Sequence, residues 1–109
     1  MNKVILLGRL TRDPESKTTA SGKTVCRFSV AVDRIGKDKG ADFIGCVAWE
    51  KTAEFVAKYL SKGRRVLVEG RIQTGSYEGQ DGTKHYTTDV IADRVEFADS
   101  KPQDTEILF

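Results

Sequence analysis

The chain has 109 residues, of which 31% are charged and 39% hydrophobic, with a formal net charge of +2. That is one domain's worth of sequence, with a modest core and no second segment large enough to fold separately. No apolar run approaches the roughly 20 residues of a membrane span, and the start MNKVILLGRL is too short and too interrupted for a signal peptide, so the chain is expected to stay in the cytoplasm where it is made.

The charge is unevenly placed. Residues 1–98 hold 17 Lys and Arg against 13 Asp and Glu, whereas residues 99–109 hold Lys101 against Asp99, Asp104 and Glu106. A weakly basic body suits a polyanionic ligand, and an acidic tail cannot share it. The two cysteines, Cys26 and Cys46, have no CxxC spacing and no histidine cluster near them. They read as small buried hydrophobes in a reducing compartment, and neither a metal nor another cofactor is expected.

In chain order, residues 2–10 (NKVILLGRL) form a strand with Val4, Leu6 and Leu10 on one face and Ile5 and Leu7 on the other. So small a protein has too little chain to cover such a strand twice, which predicts that another copy covers the second face or the edge. Residues 11–22 are polar, with turn signals at Asp13-Pro14 and Ser21-Gly22. The Gly22-Lys23-Thr24 run inside a P-loop pattern would need glycine where Lys17 stands and a helix where a strand follows, so a nucleoside triphosphate site is rejected.

Residues 24–32 (TVCRFSVAV) alternate, with Cys26, Phe28, Val30 and Val32 inward and Arg27, Ser29 and Ala31 outward. A cationic loop over residues 34–41 leads to the stretch that organises the chain, DFIGCVAWEKTAEFVAKYLSKG, residues 42–63. Up to Trp49 its period is two, with Ile44, Cys46 and Ala48 on one face and Phe43, Gly45, Val47 and Trp49 on the other. After Trp49 the period becomes helical, with Ala53, Val56, Ala57 and Leu60 on one stripe and Gly63 as the stop.

Residues 64–77 (RRVLVEGRIQTGSY) return as a strand with Val66, Val68 and Ile72 on the core face, and Gly70 on that face marks a bulge or barrel corner. A hairpin connection at residues 78–82 leads into a long strand over residues 84–97. Five strands with one helix between the third and fourth predict an all-β fold closed into a small barrel, since a flat sheet would leave edges and one face bare. Residues 99–109 are too polar to fold alone, and their apolar end, Ile107-Leu108-Phe109 behind Asp104 and Glu106, reads as a docking peptide.

The catalytic inventory is thin. His85 has no neighbouring nucleophile and reads as a surface or packing residue, and Asp33, Asp38, Asp42 and Glu50 lack the spacing of a metal site. The nucleic-acid inventory is richer. Phe43, Trp49 and Tyr77 share outward parity with Arg27, Arg65 and Arg71, and Arg34 and Lys37 of the cationic loop join them. Exposed rings among cations are what single-stranded binding needs, because every base offers a π face whatever its identity. The competing reading is that the rings complete a core or a subunit interface. An RNA-binding barrel, a metal-dependent nuclease and an oligomeric scaffold are the functional alternatives.

Taken together, NKVILLGRLTRDPE, DFIGCVAW, AEFVAKYLSKG, VEGRIQTGSY and HYTTDV resemble the bacterial single-stranded DNA-binding proteins over residues 1–98. The resemblance implies an OB-fold that assembles as a homotetramer through its first strand, with Lys3, Val4, Ile5, Leu6 and Leu7 at the contact. It implies non-catalytic, sequence-independent binding of single-stranded DNA, with Phe43, Trp49 and Tyr77 stacking bases, and presentation of that DNA to replication, recombination and repair proteins. It further implies a partner-docking tip at Asp104, Glu106, Ile107, Leu108 and Phe109. Two features depart from the family pattern: the loop at residues 34–40 lacks a further aromatic, and the tail is short and has Leu108 where a proline is usual.

Overall fold

A computed structural model describes residues 1–36 and 40–99. It contains six strands and one helix: β1 (Val4–Leu10), β2 (Glu15–Thr18), β3 (Thr24–Asp33), β4 (Ala41–Trp49), α1 (Glu50–Tyr59), β5 (Arg65–Glu78) and β6 (Lys84–Phe97). The sheet order is β1-β5-β6-β4-β3-β2, and β1 also pairs with β3. That second pairing closes β1, β5, β6, β4 and β3 into a ring, the five-stranded barrel expected of the sequence, with the helix after the third of its strands. Closure gives each of the five a partner on both sides within the ring, although β4 and β6 meet only at Cys46↔Val90, Val47↔Ile91 and Ala48↔Ala92.

β1 makes the closure by changing partners. It runs antiparallel to β5 from Val4↔Gly70 to Arg9↔Arg65 and meets β3 at Arg9↔Ala31 and Leu10↔Val30. The bend requires a close approach at Gly8, where a Cβ would overlap the carbonyl oxygen of Ala31. A second corner lies in β5–β6, where the register jumps from Glu69↔Arg94 to Gly70↔Ala92. Here a Cβ on Gly70 would overlap the carbonyl oxygen of Ile91, so the expected bulge depends on the missing side chain. Ahead of the first residue of β1, the Asn2 side chain continues the ladder. Its Nδ2 donates to the Ile72 carbonyl at 2.7 Å, and its Oδ1 accepts from the Ile72 N–H at 2.9 Å.

The core follows the alternation. Cys26, Phe28 and Val30 of β3, Cys46 and Ala48 of β4, Val66 and Val68 of β5, and Val90, Ala92 and Val95 of β6 meet Ala53, Val56 and Leu60. The helix thus plugs the barrel with one stripe. Phe55 reaches beside it to Tyr59 and Phe97, with ring centroids at 5.2 and 5.6 Å. The turn from strand to helix is sharp: Trp49 is extended, and Glu50, the first helical residue, sits at φ 55°.

The structure corrects three expectations. β2 lies where only turns are predicted; all four of its residues are polar and exposed, and only backbone pairing to β3 defines it. Ile72 is 46% exposed rather than core, because β5 and β6 run past the end of the barrel as a two-stranded arm that no other described element covers. Ala57 is exposed because the stripe of α1 that enters the barrel is only as wide as Ala53 and Val56.

Candidate nucleic-acid interface

β4 and β6 run parallel across a seam of three pairs, Cys46↔Val90, Val47↔Ile91 and Ala48↔Ala92. Parallel pairing sends the β3–β4 turn and the β5–β6 turn out of the same end of the barrel, so the two hairpins form two arms. Phe43 lies well out on the first arm, opposite Ala31, and Trp49 at its base, opposite Val25. Six residues of strand separate the two rings by about 20 Å. Tyr77 lies near the tip of the second arm, opposite His85.

All three rings are exposed: Phe43 72%, Trp49 42% and Tyr77 58%. They belong to the outward face of their strands, and each leaves apolar area in water that the core does not use. Tyr77 stacks on His85 with ring centroids 5.1 Å apart and planes 23° from parallel. Between the arms the outward face is also apolar. Val47 and Ile91 point away from the core yet are buried, forming a pair apart from the main cluster. Across the sheet their row reads Glu15, Arg27, Val47, Ile91, Arg71, so the stems of two arginines flank them.

The cations are distributed unevenly. Arg27 is exposed on this face and makes no ion pair among the described residues. Arg71 contacts Asp93 at 3.4 Å. Arg34 is tied to Asp42, with its terminal and Nε nitrogens at 2.8 and 2.9 Å from Oδ1. Arg65 is not brought to the rings: it pairs with Arg9 of β1 at the far end of β5. Lys37 and the tail residues Asp104, Glu106, Ile107, Leu108 and Phe109 lie outside the described residues. Lys17 was missed by the sequence reading; it shares the row of Val25 and Trp49 through β2, a strand without any apolar pattern to betray it.

Two further groups shape the electrostatics. Asp89 lies opposite Gln73, and a Cβ on Gly45 would stand 3.3 Å from its Oδ1, which places a carboxylate at the base of the gap between the arms. Burial, with a contribution from that carboxylate, pushes the Cys46 thiol up to about 12, and burial also raises Cys26. Both thiols are free and buried, as expected of them. Among the described residues no group of three or more His, Cys, Asp or Glu side chains could hold a metal ion, and no helix is long and apolar enough to cross a membrane.

On the other side of the barrel, β1 turns Ile5 and Leu7 outward, 61% and 50% exposed, beside the half-buried Leu67. Val4 and Leu6 pack against the core instead. Lys3 contacts Glu69 at 3.7 Å.

The fold and its face define the class: a small OB-type barrel that presents exposed rings and arginines on two parallel-seamed arms. The chain belongs to the single-strand binding protein family, whose model matches residues 1–98. It is 55% identical over 101 residues to a single-stranded DNA-binding protein of Clostridium perfringens, covering 92% of this chain and 67% of that one. Single-stranded DNA-binding protein 3 of Clostridium acetobutylicum is 52% identical over 101 residues, covering 89% and 70%. Single-stranded DNA-binding protein 3 of Listeria innocua is 49% identical over 105 residues, covering 93% and 66%. The chain thus spans about two thirds of the length of the curated relatives that it matches.

Proposed function

We propose that this chain binds single-stranded DNA without regard to sequence and without catalysis, and that it presents the strand to replication, recombination and repair machinery. The observation that carries the reading is the exposure of Phe43, Trp49 and Tyr77 on the two arms. Bases stack on such rings for about 1 to 3 kcal/mol each, and the phosphates between them fall to Arg27, Arg71 and, once released from Asp42, Arg34. Duplex DNA hides its base faces and gains only the phosphate contacts. The names of the relatives support the same ligand.

The assembly and the tail complete the proposal. Ile5 and Leu7 offer the outward face of β1 to a second copy, and a homotetramer joined through residues 3–7 is the form in which the chain works in the cytoplasm. The tip Ile107-Leu108-Phe109, with Asp104 and Glu106, docks partner proteins.

The test is a titration of Trp49 fluorescence with oligothymidine at low and high salt, repeated with a mixed-sequence duplex. Strong quenching by the single strand, weakening with salt by about 0.7 log units per log unit for each phosphate contact, is expected. No quenching by either ligand refutes the reading. Preference for a matched RNA oligonucleotide assigns the face to RNA, and loss of end-labelled strand with magnesium assigns it to a nuclease.

A further inference from the structure

We infer that His85 is a positioning residue for base stacking: its imidazole is the fixed pedestal on which Tyr77 holds a base, locked by a hydrogen-bond chain from Asp81 through Thr83. The inference rests on the single-strand reading of the arms and specifies how the second arm does its part.

Three observations carry it. The first is the stack itself. Tyr77 and His85 are direct cross-strand partners, and their rings lie 5.1 Å apart and 23° from parallel. One face of the phenol is therefore covered by imidazole, while the residue as a whole stays 58% exposed. A single face is left for one base, and the column would read base, Tyr77, His85.

The second is the lock behind the imidazole. The Thr83 hydroxyl donates to Asp81 Oδ1 at 2.6 Å, and that oxygen also accepts the Thr83 N–H at 3.1 Å. A hydroxyl has one proton, and here it is committed to the carboxylate. Toward His85 Nε2, 3.1 Å away, Thr83 Oγ1 can then only accept, so the proton of that contact sits on Nε2. The chain of donors runs from His85 to Thr83 to Asp81, and it fixes the ring's rotation. Both hydrogen bonds also favour ionised Asp81, whose carboxyl is held below the usual range by the Thr83 hydroxyl first and by its N–H second.

The third is the space. A Cβ on Gly79 would stand 2.7 Å from His85 Nε2 and 2.9 Å from Asp81 Oδ1. Glycine at the hairpin's start leaves room for the imidazole to lie in this position. The turn is closed by Gly79 N–H to Thr83 O at 2.8 Å and Gly82 N–H to Gly79 O at 3.0 Å, so the pedestal stands on a hydrogen-bonded base.

What the pedestal does follows from entropy. A phenol near the exposed tip of a two-stranded arm would, without its partner ring, sample its rotamers, and a base stacking on it would have to immobilise it. Pre-ordering one such side chain is worth about threefold to tenfold in affinity.

The test uses the full chain and Trp49 quenching by oligothymidine long enough to span both arms. His85→Ala is expected to weaken binding about threefold to tenfold, whereas His85→Phe, which keeps a plate under Tyr77, is expected to stay within about twofold of the unaltered chain. Gly79→Ala, which touches neither ring's chemistry, is expected to weaken binding as His85→Ala does. His85 is the only histidine, so its ring protons give resolved proton-NMR signals that are expected to move on saturation with oligothymidine. Unchanged affinity in His85→Ala, equal losses in His85→Ala and His85→Phe, or histidine signals that oligothymidine leaves in place would overturn the pedestal while the single-strand reading stands. No quenching of the unaltered chain would overturn both. If His85→Ala does not fold, Gly79→Ala and the histidine signals of the unaltered chain decide the matter alone.

Discussion

Removing one carboxylate from the first arm should strengthen binding, and the size of the gain can be worked out. Asp42 holds Arg34 by contacts of 2.8 and 2.9 Å, and the two side chains are 54% and 55% exposed. An exposed pair of this kind contributes about 0.2 to 1 kcal/mol to stability, so Asp42→Asn should fold normally. The substitution frees a guanidinium now held against Asp42, the residue before Phe43, and removes a negative charge from the path of the phosphates. One added phosphate contact steepens the salt dependence by about 0.7 and, extrapolated over the decade from 1 M to 0.1 M salt, tightens binding about fivefold at the lower end. Fluorescence titration of Trp49 with oligothymidine at four or five salt concentrations measures both numbers. Arg34→Gln in the Asp42→Asn background should abolish the gain. Equal slopes for the unaltered chain and Asp42→Asn, or a gain that survives Arg34→Gln, would show that Arg34 does not reach the strand.

Three other outcomes are expected. Leu7→Asp puts a charge on the outward face of β1 and leaves the core untouched, so sedimentation should show a smaller species than the unaltered chain; unchanged sedimentation would remove β1 from the contact. Arg64 grips Asp99 through Nε and a terminal nitrogen at 3.0 and 2.9 Å, which holds the Asp99 carboxyl below its ordinary range. A depressed folded value contributes stability above the unfolded value of about 3.9 and loses it as pH falls through the folded one. The melting difference between the unaltered chain and Asp99→Asn should therefore be full at neutral pH and vanish in acid. Finally, Cys26 and Cys46 should resist a thiol-disulfide reagent at pH 8 until the chain unfolds, and labelling at the rate of a free thiol would contradict their burial.

Much of this was legible in the residues, and what was not has physical reasons. The alternation of β3 and β4 sorts Phe28 from Arg27 and Cys46 from Phe43, because half of each strand is buried and period two carries that information. Parity tells which way a side chain points, not what lies there. Ile72 has core parity but stands where the barrel has ended, and Val47 has outward parity but is covered. β2 escaped because its polar residues hold it only through the backbone. His85 escaped because its partner is set by hairpin register. Counting outward from the Gly79–Thr83 closure would have placed it opposite Tyr77, a signal in the turn rather than in the histidine.

The seam between β4 and β6 has one more consequence. Within each arm the strands are close in sequence and form by local zippering, whereas the seam joins residues 44 apart, as in Cys46↔Val90, through only three pairs. Loop-closure entropy is spent there with few hydrogen bonds in return, so the seam should form late in folding and open early. Native-state hydrogen exchange should find its amides less protected than those of either hairpin's barrel half. A DNA strand laid from Phe43 to Tyr77 spans this joint from outside, and by tying the arms together it would slow exchange at residues that it never touches.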